Sequence, residues 1–118
     1  VEQLVAAGLD PHVMIDCSHG NSLKDHRNQP KVAEEIAAQL RAGSKSIAGV
    51  MIESNLEEGN QKVPDVLDQL TYGKSITDAC VDWEATVSML RDLGQAVGAR
   101  RNLERAVSGV FKSGEKWR

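Results

Sequence analysis

Three metal-capable side chains, His19, Glu53 and Asp78, each follow a stretch with the pattern of a buried strand. Short apolar runs lead into His19 and Glu53, and a third stretch, residues 70–77, ends at Asp78. Because the carboxyl ends of parallel strands meet at the same edge of a sheet, we expect these three side chains to lie close together.

One imidazole and two carboxylates form a donor set that suits a divalent first-row cation such as Mn²⁺, Fe²⁺, Co²⁺ or Zn²⁺. Glu53 follows His19 by 34 positions and Asp78 follows Glu53 by 25, separations that fit adjacent β-α units. Taken singly, each residue also has a structural interpretation: a hydrogen-bonded histidine at a strand end, a loop-capping glutamate or a helix-capping aspartate. Together they predict a metal site.

The elements that must position these residues begin with a β-α-β unit. We expect a strand over residues 12–18, a helix that starts near Pro30 and ends at Gly43, and a strand over residues 46–52. Such a crossover is right-handed in nearly all known proteins.

The remaining elements are a short helix, a long loop, a third strand and a last helix. The first helix ends at Gly8, residues 55–69 form the loop, the third strand ends near Thr77, and Asp82 caps the last helix. The predicted apolar face of that helix comprises Trp83, Val87, Leu90, Leu93 and Val97.

Strand alternation predicts the orientation of the side chains that precede His19. If His19 points inward, the odd-numbered residues 13–17 do so too, and Asp16 and Ser18 face the helix layer. That layer is an unfavourable place for a carboxylate, so a role in orienting a neighbouring ligand is one possibility for Asp16.

Several other reactive side chains are expected to lack a catalytic role. We predict that Cys17 belongs to the core and that Cys80 lies close enough to the metal to be oxidation-prone. His26, Glu57 and Glu58 are predicted to be solvated loop residues.

Length and charge exclude several classes of protein. The 118 residues form one domain at most, and a whole (β/α)8 barrel needs roughly 250. The 14 basic and 17 acidic residues, a net charge of −3, argue against a nucleic-acid surface. No apolar stretch approaches the roughly 20 residues of a membrane helix, and no signal peptide is evident. We expect a cytoplasmic chain with two free thiols and no membrane contact.

Three motif blocks, IDCSHGNS with His19, GVMIESNLEEGNQ with Glu53 and YGKSITDACVDWE with Asp78, resemble one enzyme family. This is the metal-dependent microbial and fungal class of 3-deoxy-D-arabino-heptulosonate 7-phosphate (DAHP) synthases. The resemblance covers residues 1–101 and leaves residues 102–118 as an unassigned tail. It implies an α/β fold, the last three β/α units of a (β/α)8 TIM barrel, in the C-terminal part of a catalytic domain.

The resemblance implies a transferase that condenses phosphoenolpyruvate with erythrose 4-phosphate to give DAHP and phosphate, the first step of the shikimate pathway to aromatic amino acids. In that family Cys, His, Glu and Asp hold the metal. The last three match His19, Glu53 and Asp78, and His19 also lies near phosphoenolpyruvate. The family's cysteine motif and its Lys-Pro-Arg-Thr motif are absent here, and neither Cys17 nor Cys80 matches the former.

The expected partners are therefore both substrates, the rest of the barrel and further copies in a homo-oligomer. The 118 residues alone are expected to be inactive, because they lack one ligand and most phosphate-binding cations. Two alternatives remain: a non-catalytic module that docks on a complementary half-barrel, and another metal-dependent aldolase on the same barrel.

Overall fold

The computed structural model describes residues 1–114 and the side chains of residues 1–109. Two parallel strands and two longer helices form the body of the protein. In chain order the elements are α1 (Glu2–Ala6), β1 (Val13–Asp16), α2 (Gln29–Arg41), β2 (Ile47–Met51) and α3 (Trp83–Gly114), with single 3-10 turns at His26–Asn28 and Leu67–Gln69.

The predicted β-α-β unit is confirmed, with both strands shorter than expected. β1 and β2 pair in parallel, with Ile15 opposite Val50 and Asp16 opposite Met51. Helix α2 starts with a proline in its first turn and ends before Gly43, whose φ of +93° suits glycine.

The core lies between the sheet and the two long helices. Helix α2 buries one face because its apolar residues recur every three or four positions. The buried apolar residues that share this core are Cys17, Ala33, Ile36, Ala37, Leu40, Ile47, Val81, Met89, Leu93 and Ala96.

The predicted orientation of the first strand is wrong. Ile15 and Cys17 pack against the helices, and Cys17 is fully buried. Met14 and Asp16 lie on the opposite face of the sheet, where Met14 is 69% exposed. The strand ends at Asp16 and the chain bends at residues 17–19, so alternation does not extend to His19.

The predicted third strand is also wrong, because residues 70–77 form turns rather than a strand. Side-chain amides hold this segment instead. Gln61 accepts a hydrogen bond from the Thr71 amide (2.9 Å) and donates to the carbonyl oxygens of Thr71 (2.8 Å) and Lys74 (2.9 Å). Asn60 donates to the Thr77 carbonyl (2.8 Å), which fixes the backbone just before Asp78.

The chain rejoins the sheet at Val81. The Val81 amide donates to the Glu53 carbonyl and the Val81 carbonyl accepts from the Asn55 amide, each at 3.0 Å. Isolated bridges take the place of the expected strand: Ser54 pairs with Val81 in parallel next to the end of β2, and Asn60 pairs with Ser75.

Helix α3 begins as predicted, since Asp82 Oδ1 accepts a hydrogen bond from the Ala85 amide (2.8 Å). Its predicted apolar face is only partly correct: Trp83 and Leu90 are more than half exposed. The buried positions Thr86, Met89, Leu93 and Ala96 lie on an adjacent stripe.

The helix continues to Gly114, so residues 102–114 of the unassigned tail are helical. None of the helices within residues 1–114 combines the length and apolarity needed to cross a membrane.

We expect the 118-residue chain alone to self-associate. A two-stranded sheet has two open edges, and its face opposite the helices exposes Met14. Ile47 is buried and adds nothing to this exposed surface. Sedimentation velocity over a range of concentrations should show oligomers, and Met14→Ser should reduce them. A monomer that unfolds cooperatively would contradict this prediction.

Candidate metal centre

The structure brings the three predicted site residues together at the end of the sheet. His19 Nε2 lies 3.6 Å from Glu53 Oε1 and 3.5 Å from Asp78 Oδ2. One donor atom from each residue lies within 4.8 Å of the others. Ligands about 2.1 Å from one ion lie roughly 3.0–3.4 Å apart, so small side-chain adjustments suffice to reach a common cation.

The three residues line a cavity of about 240 Å³. The other lining residues are Ser18, Lys24, His26 and Ala79. The Glu53 side chain is 24% exposed, whereas Asp78 is 71% exposed. The Glu53 side of the site is therefore largely shielded from solvent, and the Asp78 side is open to solvent.

Asp16 fixes the orientation of the His19 ring. Its Oδ2 lies 2.8 Å from His19 Nδ1, and its Oδ1 accepts from the backbone amides of Ser18 (2.7 Å) and His19 (3.1 Å). With Nδ1 so engaged, Nε2 faces the two carboxylates, as in carboxylate–histidine–metal arrangements. The structure shows the contact expected for an orienting role of Asp16, from the sheet face opposite the helices.

Gln29 fixes the backbone of Glu53. This fully buried amide donates from Nε2 to the Glu53 carbonyl and accepts at Oε1 from the Glu53 amide, each at 3.0 Å. The Ser18 hydroxyl donates to Glu53 Oε2. Sequence reasoning missed Gln29, although its place on the α2 face that contains Ala33 and Ile36 signals a buried polar side chain.

The pKa of His19 is raised, first by the hydrogen bond to Asp16 and further by the charges of Asp16 and Glu53 and a hydrogen bond to Asp78. Without metal, the charged imidazole stabilises the fold below its unfolded pKa, and that contribution is lost as pH rises through the folded pKa. A metal ion needs the neutral ring, so a proton competes with it.

We therefore predict opposite pH trends with and without metal. Between pH 6 and 8 the thermal midpoint of the metal-free protein should fall, while the affinity for Mn²⁺ should rise. Calorimetric scans and Mn²⁺ titrations at each pH measure both. His19→Gln should flatten both trends, and His12→Gln, which changes a histidine outside the cavity, should not. Parallel trends in wild type and His19→Gln would contradict the prediction.

The prediction for His26 is wrong. Its side chain is only 12% exposed, and Nε2 lies 3.5 Å from Glu58 Oε2 without forming a hydrogen bond. His26 lies in a 3-10 turn capped by Asp25, whose Oδ1 accepts a hydrogen bond from the Arg27 amide (3.0 Å). Glu57 and Glu58 are exposed, as predicted.

Both cysteines are free thiols, and Cys17 belongs to the core as predicted. Cys80 is buried, with Sγ 3.6 Å from the Asp78 carbonyl oxygen. Burial raises the pKa of both thiols, which disfavours the reactive thiolate.

Comparisons with known proteins all indicate the same family. A sequence model of the DAHP synthetase I family matches residues 1–91. The tyrosine-inhibited phospho-2-dehydro-3-deoxyheptonate aldolase of Schizosaccharomyces pombe is 56% identical over 108 residues, 89% of this chain and 29% of that protein. The Tyr-sensitive enzyme of Escherichia coli is 51% identical over 94 residues, 80% of this chain and 26% of that protein.

A solved structure agrees with these relatives. The phospho-2-dehydro-3-deoxyheptonate aldolase of Francisella tularensis is similar with a TM-score of 0.77 and 52% identity, over 84% of this chain and 28% of that one. The chain thus spans less than a third of the length of these relatives. Since the family match includes His19, Glu53 and Asp78, with the motifs that place them around one cavity, the chain belongs to the DAHP synthetase I family.

Proposed function

We propose that residues 1–101 are the C-terminal part of a (β/α)8-barrel catalytic domain, in which β1, α2, β2 and α3 belong to its last β/α units. In that setting the protein condenses phosphoenolpyruvate with erythrose 4-phosphate to give DAHP and phosphate, in the cytoplasm and as a homo-oligomer. Family membership supports this proposal, together with a solved relative at 52% identity. Residues 102–114, which continue helix α3, would then extend beyond the barrel.

The observation that carries the proposal is the convergence of His19 Nε2 with the carboxylates of Glu53 and Asp78. One imidazole and two carboxylates fit Mn²⁺, Fe²⁺, Co²⁺ or Zn²⁺ in charge and donor type. A divalent ion held there would polarise the aldehyde carbonyl or position a water molecule. A fourth ligand would come from the rest of the barrel, as in the family's Cys-His-Glu-Asp set.

The chain's own residues would hold and orient the reactants. Asp16 keeps the His19 ring turned so that Nε2 faces the cavity, where His19 would also contact phosphoenolpyruvate. Gln29 and Ser18 keep Glu53 in place through its backbone and its carboxylate. A geometry fixed before the substrates bind reduces the reorganisation needed during the reaction.

A second candidate is a non-catalytic module that binds metal and docks on a complementary half-barrel. The exposed Met14 on the open sheet face favours such docking. The two functions differ in their chemistry, because only the enzyme forms DAHP.

The discriminating experiment measures phosphate release and DAHP formation with Mn²⁺. It uses the natural protein that carries this sequence, and the 118-residue chain in parallel. Turnover by the natural protein, with little or none by the 118 residues, is expected. Mn²⁺ binding without DAHP formation by the natural protein would reject the enzymatic proposal and favour the docking module.

A further inference from the structure

The loop that links β1 to α2 holds two consecutive residues in the left-handed region. Leu23 has φ of +57° and Lys24 has φ of +61°, and within residues 1–114 no other non-glycine residue has a positive φ. Such conformations are unfavourable for L-residues with side chains, and they persist where the surrounding structure determines them.

Hydrogen bonds from buried groups fix this loop relative to His19. The Lys24 amide donates to the His19 carbonyl (2.9 Å), and the fully buried Ser22 donates from Oγ to the carbonyl oxygens of Ser18 and His19. Asn28 Nδ2 donates to the Ser22 carbonyl (3.0 Å). The position of Lys24 is therefore tied to that of the candidate metal ligand.

Lys24 lines the same cavity as His19, Glu53 and Asp78. Of the lysines and arginines with described side chains, Lys24 alone lines it. Lys24 forms no ion pair with a carboxylate among residues 1–109, whereas Arg41 pairs with Asp92.

We propose that Lys24 binds the phosphate group of a phosphorylated substrate next to the three candidate metal ligands, an inference that rests on the proposed function. A phosphate monoester carries a charge of about −1.5 to −2 at neutral pH. Where no metal neutralises them, the carboxylates of Glu53 and Asp78 repel that charge, and the Lys24 ammonium in the same cavity attracts it. A lysine ammonium binds phosphate as a compact point charge.

Three variants separate the charge of Lys24 from the shape of the loop. Lys24→Gly removes the ammonium, and glycine adopts a φ of +61° without strain, so the backbone is kept. Lys24→Arg retains a positive charge. Lys62→Gln removes an exposed loop lysine that does not line the cavity and serves as the matched control.

Steady-state kinetics of the natural protein, with each substrate varied in turn, tests the proposal. Lys24→Gly should raise KM roughly 10- to 100-fold for one of the two substrates, phosphoenolpyruvate or erythrose 4-phosphate. This rise corresponds to the loss of one hydrogen bond to a charged group. The substrate affected is the one whose phosphate Lys24 binds. Lys24→Arg should restore most of the affinity, and Mn²⁺ binding and the Lys62→Gln kinetics should match wild type.

An equal rise for both substrates, a rise for neither, or loss of Mn²⁺ binding in Lys24→Gly would overturn the proposal. Absence of turnover by the wild-type protein would contradict the proposed function instead. Calorimetric titration of each phosphorylated compound into the Mn²⁺-loaded wild type and Lys24→Gly proteins then compares their affinities. Weaker binding of one compound by Lys24→Gly would support the role of Lys24, and equal weakening for both compounds or for neither would overturn it.

Discussion

Replacing Asp78 with asparagine is expected to abolish most Mn²⁺ binding and DAHP formation together. The amide oxygen is neutral, so the site loses one of the two negative charges that attract the cation. Loss of a residue that only orients a ligand typically costs roughly 10- to 100-fold in affinity, and removal of a direct ligand should exceed that. Glu53→Gln should have a similar effect, because its carboxylate lies 3.6 Å from His19 Nε2.

The matched control is Asp65→Asn, which makes the same change on an exposed loop residue outside the cavity. Bound Mn²⁺ is counted by atomic absorption after gel filtration of the natural protein and its variants. Asp65→Asn should retain wild-type metal content. An Asp78→Asn variant with unchanged metal content would show that Asp78 is not a ligand.

Replacing Gln29 with methionine is expected to destabilise the protein by about 2–4 kcal/mol, a large effect for one polar residue. Methionine preserves the approximate length of the side chain but removes both hydrogen bonds to Glu53. The Glu53 amide then lies beside a buried apolar group without its acceptor, whereas its carbonyl keeps the bond from Val81. Mn²⁺ affinity should fall as well, because the Glu53 backbone is no longer fixed.

Urea denaturation and Mn²⁺ titration of the natural protein measure these two effects. Gln39→Met is the control, because Gln39 is an exposed residue of the same helix whose amide bonds only to Glu35. Its effect on the free energy of unfolding should stay within about 0.5 kcal/mol. A Gln29→Met variant equal to Gln39→Met in both measurements would show that the clamp on Glu53 has no energetic role.

The parts of the fold that the sequence predicted well are those with local signals. Pro30, Gly43 and Asp82 mark helix ends through constraints within a few residues, and all three act as predicted. The third strand was wrongly predicted because Gln61 holds residues 70–77 through side-chain bonds over 10 to 13 positions of sequence. No local propensity signals such contacts.

The candidate site could likewise be predicted only in part from the sequence. His19, Glu53 and Asp78 were identified because each follows a strand-like run within a family-like motif, and the structure brings them together. The orientation of the first strand was wrong because the bend after Asp16 breaks the alternation. The contact between Gln29 and Glu53 joins residues 24 positions apart, so it required the packed structure.

Anomalous diffraction from crystals of the natural protein grown with Mn²⁺ tests the central claim most directly. We predict one strong peak in the cavity, with His19 Nε2 and carboxylate oxygens of Glu53 and Asp78 each at roughly 2.0–2.3 Å. A Mn²⁺ peak elsewhere, or a peak in the cavity that leaves any one of these three side chains outside the coordination sphere, would contradict the account.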